Sequence, residues 1–418
     1  MRTKILLQYA MLSIPLAFAG LPIYVHVPHF YATHYSVSLA SLSAVLLIIR
    51  FIDAFQDPII GIFSEKYAHY KQRIITISSL ILISGFYGLF HVPPILNYYA
   101  ALWMGMMLLL VYSSFSCIMI NYYAASVTLG HSQSQQMRIS SFRESFMLIG
   151  VMLAAILPQL LTNQFGELTG YHYFTLSFIP ICIICVCIAI RTIPNSAATL
   201  AASYRFSDTI VLVKQRMIAS LLWLFFINAI PTAITSTLFL FFVEDVLHAN
   251  AQAGQMLMLY FLSAALSVPL WNVLSSRYNI YHVLISAMIL AITSFIWAYG
   301  LQAGEVVAFY GICALSGAAL GGDMVLLPAL YANALDQAST QHNKELGNIG
   351  FSVWNFISKL NMSLAAGIAL PVLAWLNYQP QDATSNIDAL SFAYACIPCA
   401  FKVVACGYAW KLKQMTKI

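Results

Sequence analysis

Long apolar runs follow one another along the whole chain, separated by short polar connections. There are far more of them than one water-soluble core could use, and a helix that crosses a bilayer needs about 20 predominantly apolar residues. The pattern predicts twelve transmembrane helices, over residues 5–32, 38–63, 74–94, 98–125, 139–164, 171–191, 217–243, 251–275, 282–302, 305–333, 347–376 and 388–410. Runs longer than about 20 residues fit tilted helices that protrude past the hydrocarbon. An even number of crossings puts both chain ends on one side.

The longest polar stretch, 191–216, follows the sixth span and divides the chain into six plus six. Its Ser, Ala and Asn content suits a linker. An internal echo supports the division: Ser64-Glu-Lys-Tyr67-Ala-His-Tyr70 follows the second span, and Ser275-Ser-Arg-Tyr278-Asn-Ile-Tyr281 follows the eighth. Repeats of this kind are related by an axis along the membrane normal. The expected architecture is all-α, with two six-helix pseudo-symmetric bundles over 1–192 and 217–418 joined by a cytoplasmic linker over 193–216.

Composition agrees. The chain is 61% hydrophobic and 8% charged, against about 25% charged in a soluble domain. Lys66, Lys71, Arg73, Arg138, Arg191, Arg205, Lys214, Arg216, Arg277 and Lys344 fall in even-numbered connections, and Arg2, Lys4, Lys411, Lys413 and Lys417 at the ends. The odd connections carry Glu167, Glu244, Asp245, Glu305, Asp382 and Asp388, with no Lys or Arg. By the positive-inside rule both termini are cytoplasmic, in an inner or plasma membrane. The net charge of +5 is therefore a topology signal and implies no nucleic-acid partner. No cleavable signal peptide is evident, because 5–31 is long enough to span and lacks a small-residue cleavage site. Cys182, Cys185, Cys187, Cys396 and Cys399 lie in apolar surroundings and read as packing thiols, with no metal site implied.

A few charges sit where charge is expensive. Arg50, Asp53 and Asp57 lie inside the second span, at depths where a carboxylate costs about 2.5–3.5 kcal/mol on insertion scales. At i, i+3 and i+7 they share a helix face, with Gln56 beside it. One basic and two acidic groups at this depth suggest an ion or proton site. Applying the echo's offset, Asp53 and Asp57 correspond to Ala264 and Val268, so the acidic pair occurs in the first half alone. Lys359 sits mid-span, and a buried ammonium needs a carboxylate partner. Asp53 and Asp57 are the natural partners, and Asp323, among Gly317, Gly321 and Gly322, is a rival. Arg143 reads either as a snorkelling side chain near a helix end or as a substrate or gating contact. Lys402 reads as a snorkeler, and His26 and His29 as structural or entry-path groups. Tyr122, Tyr123, Trp354 and Asn355, in the fourth and eleventh spans, are candidates to stack on and hydrogen-bond a solute.

These segments resemble the major facilitator superfamily, and within it the glycoside–pentoside–hexuronide cation symporters, the melibiose permease-like family. Arg50-x-x-Asp53-Ala-x-Gln56-Asp57-Pro58-Ile-x-Gly61 is close to the family's Arg-x-x-Asp-Ala-x-Asn-Asp-Pro-x-x-Gly. Arg138, Arg143 and Gly150 fit its fifth-helix pattern, Lys359 its eleventh-helix lysine, and Ala332-Asn333-Ala-Leu-Asp336 partly copies the end of its tenth helix. The resemblance implies that Asp53 and Asp57 bind the coupling cation, helped by Gln56 and Ser116. It implies that Arg143 lines the solute cavity and that Lys359 holds the charge balance. Arg50 and Asp323 are read from their depth as further balancing or gating charges. The departures are specific. The family's sugar-binding acids align with Ala17 and Met119, which argues against an α-galactoside, and Gln56 adds a methylene where the family has Asn.

The expected function is secondary active transport of a small solute, by H⁺ or Na⁺ symport with alternating access. The partners are the solute, the coupling cation and the bilayer; no cofactor is implied, and a monomer is expected. The alternative is a proton-coupled exporter of a lipophilic or siderophore-like compound. An enzyme would need a catalytic constellation near an interface, and the longest connection carries no His and a single acid, Asp208.

Overall fold

The computed structural model describes residues 3–35, 37, 39–195, 206–249, 252–342, 345–375 and 386–415. Several sequence expectations lie outside these residues: the middle of the linker, Arg2, Arg205, Lys344, Asp382 and Lys417, together with the side chains of His29 and Asp208.

The described chain is helical throughout. The first expected span is broken, with α1 Thr3–Ala10 followed by α2 Ser13–His34. Then come α3 Leu39–Lys66, α4 Lys71–Phe90, α5 Ala100–Leu129, α6 Gln133–Phe165 and α7 Glu167–Ala189. A short helix, α8 Phe206–Lys214, precedes α9 Arg216–Phe241, α10 Ala253–Arg277, α11 Ile280–Phe295, α12 Val306–His342 and α13 Gly347–Trp375. The chain closes with α14 Ile387–Ser391 and α15 Ile397–Met415. Among the described residues ten helices are long and apolar enough to cross a membrane. α3 and α13 complete the twelve, and α3 is the helix that carries Arg50, Asp53 and Asp57 in its middle.

Local chemistry sets the helix ends. The Ser132 side chain accepts from the Gln135 N–H at the start of α6, and Asn279 does the same for Tyr281 at the start of α11. Gly166, at φ 81°, turns α6 into α7, a backbone region open to glycine at little cost. The sequence echo is also a structural one. α3 and α10 end at Lys66 and Arg277, and each has a proline inside it, Pro58 and Pro269, at the same offset of 211 residues.

Two compact units emerge. The first comprises 1–212 with 332–356; the second comprises 213–331 with 357–418. The division departs from a simple cut at the linker, because the end of α12 and the start of α13 pack with the first unit. In that unit α2 packs on α6, α4 on α5 and α7, and α3 on α5. Gly150 of α6 lies so close to the Ile14 carbonyl of α2 that a side chain there would collide with backbone. In the second unit α15 packs on α9 and α11. Its aromatic and aliphatic core gathers Phe239, Phe242, Phe309, Leu390 and Tyr394. All eight cysteines are free thiols.

Candidate functional site

Asp53 and Asp57 are buried on α3, with 6% and 0% of their surface exposed, in keeping with two acids retained for a task. Arg50, expected on the same face, is exposed. It stands about two helical turns from Asp57, far enough along the axis for cover to change. Gln56 Nε2 donates to Asp53 Oδ1 (2.9 Å), and Ser116 Oγ of α5 donates to the same oxygen (3.4 Å). Ser113 Oγ, one turn earlier on α5, donates to Gln56 Oε1 (2.7 Å). The amide is thereby oriented: its oxygen faces a hydroxyl and its NH₂ faces a carboxylate. Further along the same seam, Asn121 Nδ2 donates to Ser64 Oγ (2.8 Å). Polar pairs of this kind bind membrane helices where apolar contact alone discriminates little. Of these polar residues, Asp53, Gln56, Asp57 and Ser116 were expected from the sequence, and Ser113 and Asn121 were not.

The expected solute contacts of the first unit form a second cluster. Arg143 of α6 is completely buried, which removes the snorkelling reading. Its Nε donates to Glu144 Oε1 (2.9 Å), and its guanidinium lies 3.6 Å from the Tyr123 ring centroid. The Tyr123 hydroxyl donates to the same Glu144 oxygen (3.3 Å). Tyr122 faces the other way, toward the break between α1 and α2. Tyr9 Oη donates to the Tyr122 carbonyl (2.8 Å), Tyr122 Oη to the Tyr9 carbonyl (3.1 Å), and Ser13 Oγ lies 2.9 Å from Tyr122 Oη. Arg143, Tyr123 and Glu144 are thus one charge-balanced knot, with Tyr122 locking α5 to the first helix. A buried Arg–Glu pair tolerates removal of one partner poorly, because the other charge is then stranded. Glu144 was legible only as the neighbour of Arg143. His26 sits at 3.0 Å from the Tyr171 hydroxyl, a structural contact.

The start of α13 is held to the first unit by Glu65. This acid, 2% exposed, accepts from the backbone N–H groups of Asn348 (2.8 Å) and Ile349 (3.2 Å). A carboxylate at a helix N-terminus satisfies donors that have no partner within the helix and complements its dipole. Gly61 and Gly347 permit the approach, facing Ser352 and Ala124. Phe351 packs edge-on to Tyr123 at 5.3 Å. The only sequence signal for Glu65 was an acid among the bases of an even connection. Trp354 is buried on the same helix and Asn355 half-buried.

In the second unit Lys359 is half-buried. Lys402 is not a snorkeler: it is 5% exposed and ion-paired with Asp323 Oδ2, across 79 residues of sequence. Asp323 therefore has its cation in its own unit, on α15. The glycines around it behave as expected, since Gly317 and Gly321 press α12 against the α10 carbonyls of Tyr260 and Ala264. Among the described residues no group of three or more His, Cys, Asp or Glu side chains could hold a metal ion.

The comparisons with known proteins agree with this architecture. The chain matches the family described as MFS/sugar transport protein over residues 8–412, and it belongs to that family. No curated protein sequence matches it. Among solved structures it is similar to the fucose:proton symporter of E. coli, at 16% identity and a TM-score of 0.68, with 98% of each chain covered. It is equally similar to a bacterial homologue of the iron transporter ferroportin in an outward-facing state, at 13% identity and a TM-score of 0.69, covering 99% of this chain and 100% of that one. At these identities the likeness establishes the fold. The protein is a multi-pass integral membrane transporter, not an enzyme.

Proposed function

We propose that this member of the MFS/sugar transport protein family is a proton-coupled symporter of a small sugar-like solute, working by alternating access with both termini in the cytoplasm. The coupling site is Asp53 and Asp57. One observation carries the choice of ion: the Gln56 amide turns its NH₂ to Asp53 and its oxygen to Ser113. A sodium ion is a hard cation that needs several oxygen ligands converging on it. Here the residue best placed to add a neutral oxygen presents a donor instead. A proton needs only the carboxylate.

Proton entry on Asp53 or Asp57 lowers the negative charge of the site and lets the loaded carrier reorient. A charge moving through about 100 mV contributes about 2.3 kcal/mol. That sustains a roughly forty-fold solute gradient, since about 1.4 kcal/mol is tenfold. Arg143, Tyr123 and Glu144 supply a rigid polar wall, with Trp354 and Asn355 as solute contacts. The family, the fucose:proton symporter fold and the aromatic and amide groups support a sugar-like solute; Ala17 and Met119 argue against an α-galactoside.

The test is purified protein in proteoliposomes with a luminal pH dye, screened against sugars and sugar acids with and without Na⁺. Solute addition outside should acidify the lumen without Na⁺. Asp57→Asn should reduce accumulation to background while sparing exchange. Full uphill uptake in that variant, or uptake that needs Na⁺ and leaves luminal pH unchanged, refutes the proposal. Movement seen only when solute is loaded inside identifies an exporter.

A further inference from the structure

The second unit contains a cavity of about 100 Å³ that the coupling site does not use. It lies among α9, α10, α11, α12 and α15, with the Asp323–Lys402 pair in its wall. The two side chains are 10% and 6% exposed. Lys402 engages Asp323 Oδ2, while Asp323 Oδ1 is buried without a hydrogen-bond partner. An ammonium has three N–H donors, so Lys402 has donors beyond the one on Asp323. The pair is neutral as a whole, yet sets a spare acceptor beside spare donors.

The rest of the wall fits the same kind of guest. Thr235 and Ser316 donate to carbonyls of their own helices, at 3.1 and 2.6 Å, and their oxygens keep lone pairs for a hydroxyl. Tyr260 and Tyr394 provide flat apolar faces. Tyr394 is held firmly, stacked on Phe242 at 4.1 Å and packed against Phe295 at 5.2 Å. It is presented from a π-helical turn, Phe392–Cys396, a distortion found frequently at functional sites. Charged guests fit worse. A cation competes with Lys402 and an anion with Asp323, and a proton added to the pair leaves an unbalanced ammonium in a buried place.

We propose that this cavity is a binding subsite for a neutral vicinal diol of the kind carried by a sugar ring or polyol. One hydroxyl donates to Asp323 Oδ1 and the adjacent oxygen accepts from Lys402 Nζ. A volume of about 100 Å³ is room enough for the diol edge of a solute. The inference deepens the sugar-like reading of the solute and rests on it, but it does not rest on proton coupling.

Cys313 and Cys399 line the cavity, while Cys187 is exposed elsewhere. The full-length protein in lipid nanodiscs is treated with N-ethylmaleimide, and modification of each cysteine is followed by peptide mass spectrometry. Probes are pentoses, hexoses and linear polyols, their diol-blocked O-methyl derivatives, acetate and ethylammonium. At least one diol-bearing probe should slow modification of Cys313 and Cys399 about threefold or more, without affecting Cys187. Its blocked derivative should not. Protection should vanish in the charge-neutral pair Asp323→Leu with Lys402→Met, which avoids stranding a buried charge, and persist in Asp57→Asn. Failure of every diol to protect, protection by acetate or ethylammonium instead, or undiminished protection in the double variant overturns the proposal. A failure of proton coupling shows separately, in the luminal pH signal, with cysteine protection intact.

Discussion

Each unit of this transporter buries a carboxylate at the centre of its polar chemistry, and the two are held differently. Asp53 accepts from the Gln56 amide and the Ser116 hydroxyl, with Asp57 one turn away. Asp323 accepts from the Lys402 ammonium. The difference decides what each can exchange. Proton uptake by the Asp53–Asp57 pair removes negative charge from a site with two acids. Proton uptake by Asp323 turns a neutral pair into a lone buried cation, which costs several kcal/mol. On the proposed reading the first unit trades protons and the second grips neutral polar groups. The internal repeat sharpens the contrast: Pro58 and Pro269 occupy equivalent places, but the acid before the first is Val268 before the second.

The largest expected effect tests this contrast directly. Lys402→Met leaves the buried Asp323 carboxylate without its cation, and should destabilise the protein by about 3–5 kcal/mol. Adding Asp323→Leu should recover most of that loss, because an apolar pair of similar volume replaces a buried ion pair at little cost. Asp53→Asn keeps an acceptor oxygen for the Gln56 amide and the Ser116 hydroxyl, and should cost less than Lys402→Met. Thermal unfolding of the purified variants in one detergent reads all three. If Asp53→Asn destabilises as much as Lys402→Met, the two sites are not held differently.

A smaller effect probes the proton side. Gln56→Leu removes one donor to Asp53 Oδ1 and leaves the Ser113 hydroxyl without its acceptor. A hydrogen bond to a charged group contributes about 1.5 kcal/mol, about a tenfold change in an equilibrium constant. Solute accumulation should therefore fall by up to about tenfold. Proteoliposome uptake measures it, and unchanged accumulation breaks the proposed assignment of Gln56 to the coupling site.

Much of this was legible in the sequence, and the failures have physical causes. The spans were readable because hydrocarbon thickness sets helix length, so expected 98–125 meets observed Ala100–Leu129 and expected 251–275 meets Ala253–Arg277. Asp53 and Asp57 stood out because acids inside an apolar run are costly. Lys402 was misjudged because position along one helix says nothing about a partner 79 residues away on another. The snorkelling alternative for Arg143 could not be dismissed from sequence, since its place near a helix end ignored the cover supplied by Tyr123 and Glu144. The break after Ala10 has its mark in Pro15, in the first turn of α2, which has no N–H for the Met11 carbonyl; the apolar run continues through it and reads as one span. Ser113 was invisible for a simpler reason: serines are common in membrane helices, and only the seam between α3 and α5 distinguishes one from another.

Ser113 also gives the finest test of the first unit's design. Its hydroxyl fixes the Gln56 amide oxygen at 2.7 Å, which leaves the NH₂ for Asp53. Hydrogen bonds between membrane helices average about 0.6 kcal/mol in double-mutant cycles, so Ser113→Ala should lower stability by about that amount and leave solute uptake measurable. The telling quantity is the coupling between positions. If Ser113 acts by orienting Gln56, the two changes share one network and are not additive. Ser113→Ala should then lower solute accumulation in the same direction as Gln56→Leu, by less, and add nothing when combined with it. Additive losses in the double variant would mean that Ser113 acts on the proposed coupling site by another route, and that the amide's orientation is set elsewhere.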